Sequence, residues 1–260
     1  MPEHNAALLD ALSLLARQAG DAIMGVYATD FSVEEKHDDS PVTEADAIAE
    51  RIIVAGLATL TPGLPVVAEE AVAAGHIPRI GERFWLVDPL DGTREFIKRN
   101  GEFTVNIALV ELGQPVLGVV FAPALDRLYA GAVGLGAHVE EAGERRPIQC
   151  RVPPAQGLTV VASRSHGDPA ALQAFLGGRQ VASLVNVGSS LKLCPVAEGR
   201  ADVYPRLGRT MEWDIAAGHA VLAAAGGRVL RVDDGQPLGY GKPGLDNPHF
   251  VAWGARANPG

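Results

Sequence analysis

The sequence predicts an α+β protein built as two intimately packed αβ halves, and three observations carry that expectation. Two amphipathic helical stretches open the chain and a run of strands follows them. From about residue 158 onward, strands and helices alternate, as in a sheet with helices on its faces. At 260 residues, 47% hydrophobic and 20% charged, the chain can bury a sizeable core. No internal repeat, low-complexity tract or long linker divides it. We place the halves at residues 1–150 and 151–260.

In the first half, Leu8, Leu12, Leu15, Ala19 and Ile23 recur at helical spacing between Ala6 and Tyr27. A second helix is expected from Thr43. Thr43-Glu44-Ala45-Asp46 reads as a capping box with Asp in place of Glu, and Ile48, Ile52, Ile53 and Leu57 follow on one face. Pro65 to Ala68 reads as a strand running into Glu69-Glu70, and Trp85-Leu86-Val87 as another. Phe103 to Glu111 and Pro115 to Phe121 form an expected hairpin across Gly113, with Leu128 to Val133 continuing the sheet. The polar stretch Glu140 to Pro147 reads as a loop or the edge of a subdomain. In the second half, strands are expected at Leu158 to Ala162, Val181 to Val187, Ala201 to Pro205, Arg228 to Val232 and Phe250 to Trp253. Helices are expected at Pro169 to Leu176, Ser189 to Glu198 and Trp213 to Ala225, with Pro195 an odd occupant of the second.

A net charge of -9 argues against a nucleic-acid polymer as partner, since such proteins carry a basic face. It leaves room for a small anionic substrate, because bound dications invert a local field. Cys150 and Cys194 are too few for a disulfide scaffold or a zinc site, and read as reduced, buried small residues. Met1 to Leu9 lacks the basic and apolar regions of a secretory leader, and no apolar stretch has the length of a membrane span. The expectation is a cytoplasmic protein with no integral membrane segment.

Chemistry concentrates in Asp88-Pro89-Leu90-Asp91-Gly92-Thr93. Proline and glycine bend the chain there, and the two carboxylates fit either a hard cation such as Mg2+ or a plain Asp-Gly hairpin turn. Asp46, Glu69-Glu70 and Asp214 also stand at element ends. Asp46 reads equally as a helix cap, and Glu69-Glu70 as a solvated loop start. Asp214, beside Trp213 in an apolar helix, needs a partner if buried. The i, i+3 spacing of Asp88 and Asp91 does not fit an aspartyl-phosphate nucleophile, whose acids commonly stand at i and i+2. Converging carboxylates without such a nucleophile fit hydrolysis by two ions roughly 3.5–4 Å apart. Thr93 would orient a water if Asp46 accepted its proton.

Taken together, Glu69-Glu70, Asp88 to Thr93 and Trp213-Asp214 resemble the signature of the lithium-sensitive, Mg2+-dependent phosphatase superfamily. That superfamily comprises inositol monophosphatases, fructose bisphosphatases and 3'(2'),5'-bisphosphate nucleotidases. Within it the chain looks most like the bacterial CysQ-type nucleotidase branch. The likeness rests on Ser40 to Asp46, Glu95 to Leu109, Ser163-Arg164-Ser165-His166, Gly188 to Lys192, Ala197-Glu198-Gly199 and Tyr204-Pro205-Arg206, and it runs from about residue 8 to 253. Thr210-Met211-Glu212 departs from the tripeptide often found before Trp-Asp, which bears on substrate preference.

The resemblance implies a sugar-phosphatase-like αβαβα layered sandwich. It implies two or three Mg2+ ions, with Mn2+ as a substitute, held by Glu69, Asp88, Asp91, Asp214 and the Leu90 carbonyl. Asp46 and Thr93 would activate water, helped by Glu69. Glu69, Leu90, Asp91, Gly92, Thr93 and Asp214 would contact the scissile phosphate. Ser163, His166, Gly188, Ser189, Lys192 and Arg206 would hold the second phosphate and nucleoside. The implied activity is hydrolysis of the 3'-phosphate of adenosine 3',5'-bisphosphate to AMP and phosphate, by metal-activated water without a covalent intermediate. The sulfated form, 3'-phosphoadenylyl sulfate, is a second substrate, and the chain would act as monomer or homodimer in sulfur metabolism. The alternatives are an inositol or fructose-1,6-bisphosphatase-like sugar phosphatase, a catalytically silent anion sensor, and a Ser163-His166-Asp168 hydrolase.

Overall fold

The computed structural model describes residues 6–35, 41–163 and 168–255. The chain opens with helix α1 (Ala6–Tyr27), a short ribbon of β1 (Glu34–Glu35) and β2 (Pro41–Val42), and helix α2 (Glu44–Leu60). There follow β3 (Val66–Ala68), α3 (Glu69–Ala73), β4 (Arg83–Asp91) and α4 (Thr93–Ile97). A meander of β5 (Thr104–Glu111), β6 (Gln114–Ala122), β7 (Arg127–Ala132), β8 (Gly136–Glu141) and β9 (Glu144–Ile148) completes a seven-stranded sheet in the order β3-β4-β5-β6-β7-β8-β9. Only the β3–β4 pair in it is parallel.

The second sheet is built from β10 (Leu158–Ser163), then α5 (Pro169–Leu176), β11 (Val181–Val187), a 3-10 turn over Ser190–Leu193, α6 (Cys194–Ala197), β12 (Val203–Arg206), α7 (Glu212–Ala224), β13 (Arg228–Arg231) and β14 (Phe250–Trp253). Its strand order is β11-β10-β12-β14-β13. The layers are α1 and α2, the large sheet, α6 and α7, the small sheet, and α5. This is the expected αβαβα stack.

Burial on both faces explains why the central strands read as unbroken apolar runs. Trp85 and Val87 of β4 pack toward α1 and α2, whereas Phe84 and Leu86 pack toward α7. Because α7 lies between two sheets, it is apolar nearly all round and rich in small residues. The approach is close: a Cβ on Gly118 of β6 would stand 2.4 Å from the Ala217 carbonyl of α7. Both cysteines are free and buried, as expected. No helix among the described residues is long and apolar enough to cross a membrane.

Three local expectations are corrected. Residues 140–147 are not a loop: they contribute most of the β8–β9 hairpin, the outer edge of the large sheet. Charged residues and Pro147 suit an edge strand that no neighbour covers. The helix expected over Ser189 to Glu198 opens as a 3-10 turn over Ser190–Leu193, capped by the Ser189 side chain, and becomes α-helical only at Cys194. Pro195 then sits in a first helical turn, where its missing N–H costs nothing. Finally, Asp91-Gly92 is not a hairpin turn, for Gly92 leads directly into α4.

Candidate active site

The site forms where β4 ends. In a regular strand, residues three apart point to opposite faces. The β4–β5 register shifts between Asp88 and Asp91, and Pro89 stands in that irregularity, where no ladder N–H is required of it. Asp88, Leu90 and Asp91 consequently line one cleft of about 320 Å³ together with Glu69, Gly92, Thr93 and Asp214. Leu90 N–H donates to Asp88 Oδ1 at 3.0 Å, which orients that carboxylate.

Helix α2 fixes two members of the site. Its capping box is present: Thr43 N–H and Thr43 Oγ1 each donate to Asp46 Oδ2 at 2.8 Å. The other oxygen, Oδ1, faces Thr93 Oγ1 at 3.4 Å, and that hydroxyl also lies 3.3 Å from the Leu90 carbonyl. One buried residue therefore both caps α2 and meets the Thr93 hydroxyl. One turn further along α2, Glu50 accepts Glu70 N–H at 2.8 Å and Ala71 N–H at 2.9 Å. That contact anchors the start of α3 and with it Glu69, the first residue of the helix.

Asp214 arrives from the first turn of α7, its Oδ2 accepting Met211 N–H at 2.9 Å. Carboxylate oxygens of Glu69, Asp88 and Asp214 lie within 4.8 Å of one another. Burial, with Glu69 and Glu95 nearby, raises Asp91 to about 6 despite the opposing Lys192 charge and Ser190 N–H. Burial also pushes Asp214 well above the usual carboxylate range, and Asp91 and Glu69 push it further. Acids this crowded fit a hard divalent cation, which would relieve the repulsion and satisfy the oxygens.

The sign of the pH dependence follows. Asp91 holds its proton more tightly folded than unfolded, so its contribution favours the metal-free fold at acid pH and is lost as pH rises through about 6. Asp214 shifts in the same direction. Mg2+ should therefore raise Tm more at pH 7.5 than at pH 5 and should displace protons near pH 6. Calorimetry in two buffers of different ionisation enthalpy checks this, and a pH-independent response would contradict it.

Gly92 has two reasons to be glycine. Its φ is 92°, and an added Cβ would stand 3.1 Å from both the Glu102 carbonyl and Ser189 Cβ. Strain of about 1–3 kcal/mol is expected from Gly92→Ala. The turn beneath Thr93 would shift, and kcat/KM should drop about tenfold or more, a steady-state measurement.

Ser163, Gly188, Ser189, Lys192 and Arg206 also line the cleft. His166 lies outside the described residues. Burial lowers the Lys192 pKa while Asp91, Glu95 and Asp214 hold it up; its ammonium donates to the Ser189 carbonyl. Arg206 donates to the Arg209 carbonyl at 2.8 Å. The buried Tyr204 hydroxyl is hydrogen-bonded to the Arg206 side chain. Asp168, by contrast, caps α5 through Ala170 and Ala171 N–H, which accounts for it structurally.

The sequence gives no individual role to Glu102, Thr104, Asn106 and Ser190, which help join the two walls. Ser190 Oγ lies 2.7 Å from both Thr104 Oγ1 and Asn106 Oδ1, a buried network between β5 and the 3-10 turn. Gly188 N–H donates to Glu102 at 2.8 Å. One signal was available, two polar residues at strand period inside the apolar run of β5.

Comparison with known proteins agrees with this geometry. Residues 4–255 match the inositol monophosphatase family. The chain is 52% identical over 235 residues to the 3'(2'),5'-bisphosphate nucleotidase CysQ of Escherichia coli O157:H7, covering 90% of this chain and 94% of that one. It is 54% identical over 226 residues to CysQ of Salmonella typhimurium, covering 85% and 89%. Among solved structures it is similar to CysQ from Bacteroides thetaiotaomicron, with TM-score 0.79 and 40% identity over 95% of this chain and 98% of that one. With the layered fold, the acid cluster and these relatives in agreement, the chain belongs to the inositol monophosphatase family, whose members are metal-dependent phosphatases.

Proposed function

We propose that the chain is a 3'(2'),5'-bisphosphate nucleotidase that removes the 3'-phosphate of adenosine 3',5'-bisphosphate, giving AMP and phosphate. One observation supports this reading: a single cleft is lined by an acid cluster and by Lys192 and Arg206, cations that suit a substrate with more than one phosphate. The relatives that share half of its residues bear the same activity in their names.

Glu69, Asp88, Asp91, Asp214 and the Leu90 carbonyl would hold two or three Mg2+ ions, or Mn2+ in their place. Such ions, when bound, supply a polarised water and neutralise phosphate charge. Thr93 Oγ1 accepts a hydrogen bond from the attacking water and passes its own proton toward Asp46 Oδ1. Thr43 fixes the other Asp46 oxygen, so the acceptor cannot turn away. Backbone N–H groups of Gly92 and Thr93 cradle the scissile phosphate. Lys192 and Arg206 bind the second phosphate by charge-assisted bonds, and Ser163, His166, Gly188 and Ser189 contact the nucleoside. A division at residues 150/151 puts Asp214 and the basic wall in one half and the other ligands in the other, so the substrate joins both. Arg209, exposed at the rim, extends the basic wall and suits 3'-phosphoadenylyl sulfate as a second substrate.

The test is product identification with and without Mg2+. AMP carrying the 5'-phosphate, released only with the metal, is expected. Adenosine 3'-phosphate as product, or release indifferent to chelation, would overturn the reading.

A further inference from the structure

The segment from Gly239 to Asn247 contains no helix or strand, yet it holds the three residues that precede Trp213-Asp214. Asn247 N–H donates to the Thr210 carbonyl at 2.9 Å, and its side-chain amide donates to Met211 O at 2.8 Å and Thr210 Oγ1 at 3.3 Å. Glu212 N–H donates to Leu245 O at 2.8 Å. The fully buried Glu212 carboxylate accepts Gly241 N–H at 2.7 Å, Lys242 N–H at 2.9 Å and Lys242 Nζ at 2.6 Å. Lys242 Nζ spends its remaining hydrogens on Gly239 O at 2.6 Å and Asn247 Oδ1 at 3.2 Å. Every donor of the ammonium is used.

An ion pair with a fully buried carboxylate and a half-buried ammonium is a poor way to hold a loop if holding is all that is needed, because desolvation of the carboxylate cancels much of the Coulomb gain. Its distinctive property is direction. Direction matters here because Met211 N–H engages Asp214 Oδ2 and leaves the other oxygen for the acid cluster. Glu69, Asp88 and Asp214 crowd their carboxylate oxygens within 4.8 Å of one another, and any charge they carry without cations favours displacement of the Asp214 turn. The strap opposes that motion from behind.

We propose that the Glu212–Lys242 ion pair is a positioning device that keeps the Asp214 turn in its metal-ready geometry before cations bind. This rests on the metal-phosphatase reading above. Glu212 and Lys242 touch no substrate; they act through Met211 and Asp214.

The test compares Lys242→Met and Glu212→Gln with Tyr240→Phe. The last removes the hydroxyl bonded to His219 Nδ1 at 2.9 Å, in the same strap, and leaves the ion pair alone. Lys242→Met should raise the Mg2+ concentration for half-maximal activity about tenfold, the scale of lost supporting contacts at metal sites, with kcat at saturating Mg2+ within about threefold. Amide exchange over residues 209–214 should quicken in Mg2+-free protein and return toward wild type when Mg2+ is added. Tyr240→Phe should lower Tm and leave the Mg2+ midpoint in place. If Lys242→Met does not fold, Glu212→Gln carries the test: its one carbonyl oxygen still accepts one of the two backbone N–H groups while the charge pair is lost. An unchanged Mg2+ midpoint and exchange rate in the ion-pair variants overturns the inference, as does an equal shift in Tyr240→Phe. A wild-type protein that neither binds nor needs Mg2+ overturns the function with it.

Discussion

Asp88→Asn should lower kcat/KM for adenosine 3',5'-bisphosphate by well over a hundredfold, because even outer-shell partners of a metal site are worth about 10–100-fold. Asp88 is almost completely buried and its carboxylate lies in the group with Glu69 and Asp214. Asparagine keeps the shape, and its carbonyl still accepts Leu90 N–H, so the fold should survive. It also removes one of three crowded charges, so Tm in the absence of Mg2+ should hold or rise. Steady-state kinetics with a thermal melt checks both halves of the expectation. Full turnover in this variant would remove Asp88 from the metal site.

Lys192→Met should separate the two phosphate places. Truncating one partner of a buried charge pair costs about 2–5 kcal/mol, so kcat/KM for the bisphosphate should fall roughly 30- to 5000-fold. Turnover of adenosine 3'-phosphate, which lacks the second phosphate, should change no more than about threefold, as uniform loss of a remote contact would not apply to it. The comparison belongs at saturating Mg2+, because Lys192 also steadies the Asp91 and Asp214 charges. An equal fall for both substrates would mean that Lys192 serves the acid cluster and not the second phosphate.

Features generated by neighbouring residues were legible in the sequence. The Thr43–Asp46 capping box, the buried strands of the large sheet and helix α7 follow from local pattern, and the structure places them within a residue or two. So does the acid set at element ends, brought to one cleft by β3, β4 and α7. Helices α3 and α4 were not legible, for five residues are too few to show a period. The β8–β9 hairpin was hidden because an edge strand gains from charge and has no need of apolar alternation. The 3-10 turn that follows Ser189 was missed, since four residues are too few to show a period. The contacts of Glu50, Glu102, Ser190 and Asn247 join positions 20 to 86 residues apart, and no local spacing encodes them.

The most direct measurement is kcat/KM, at fixed Mg2+, for adenosine 3',5'-bisphosphate, 3'-phosphoadenylyl sulfate, inositol 1-phosphate and fructose 1,6-bisphosphate. A cleft with an acid cluster on one wall and Lys192 with Arg206 on the other should favour the two nucleotides by orders of magnitude. Preference for inositol 1-phosphate or fructose 1,6-bisphosphate would contradict it.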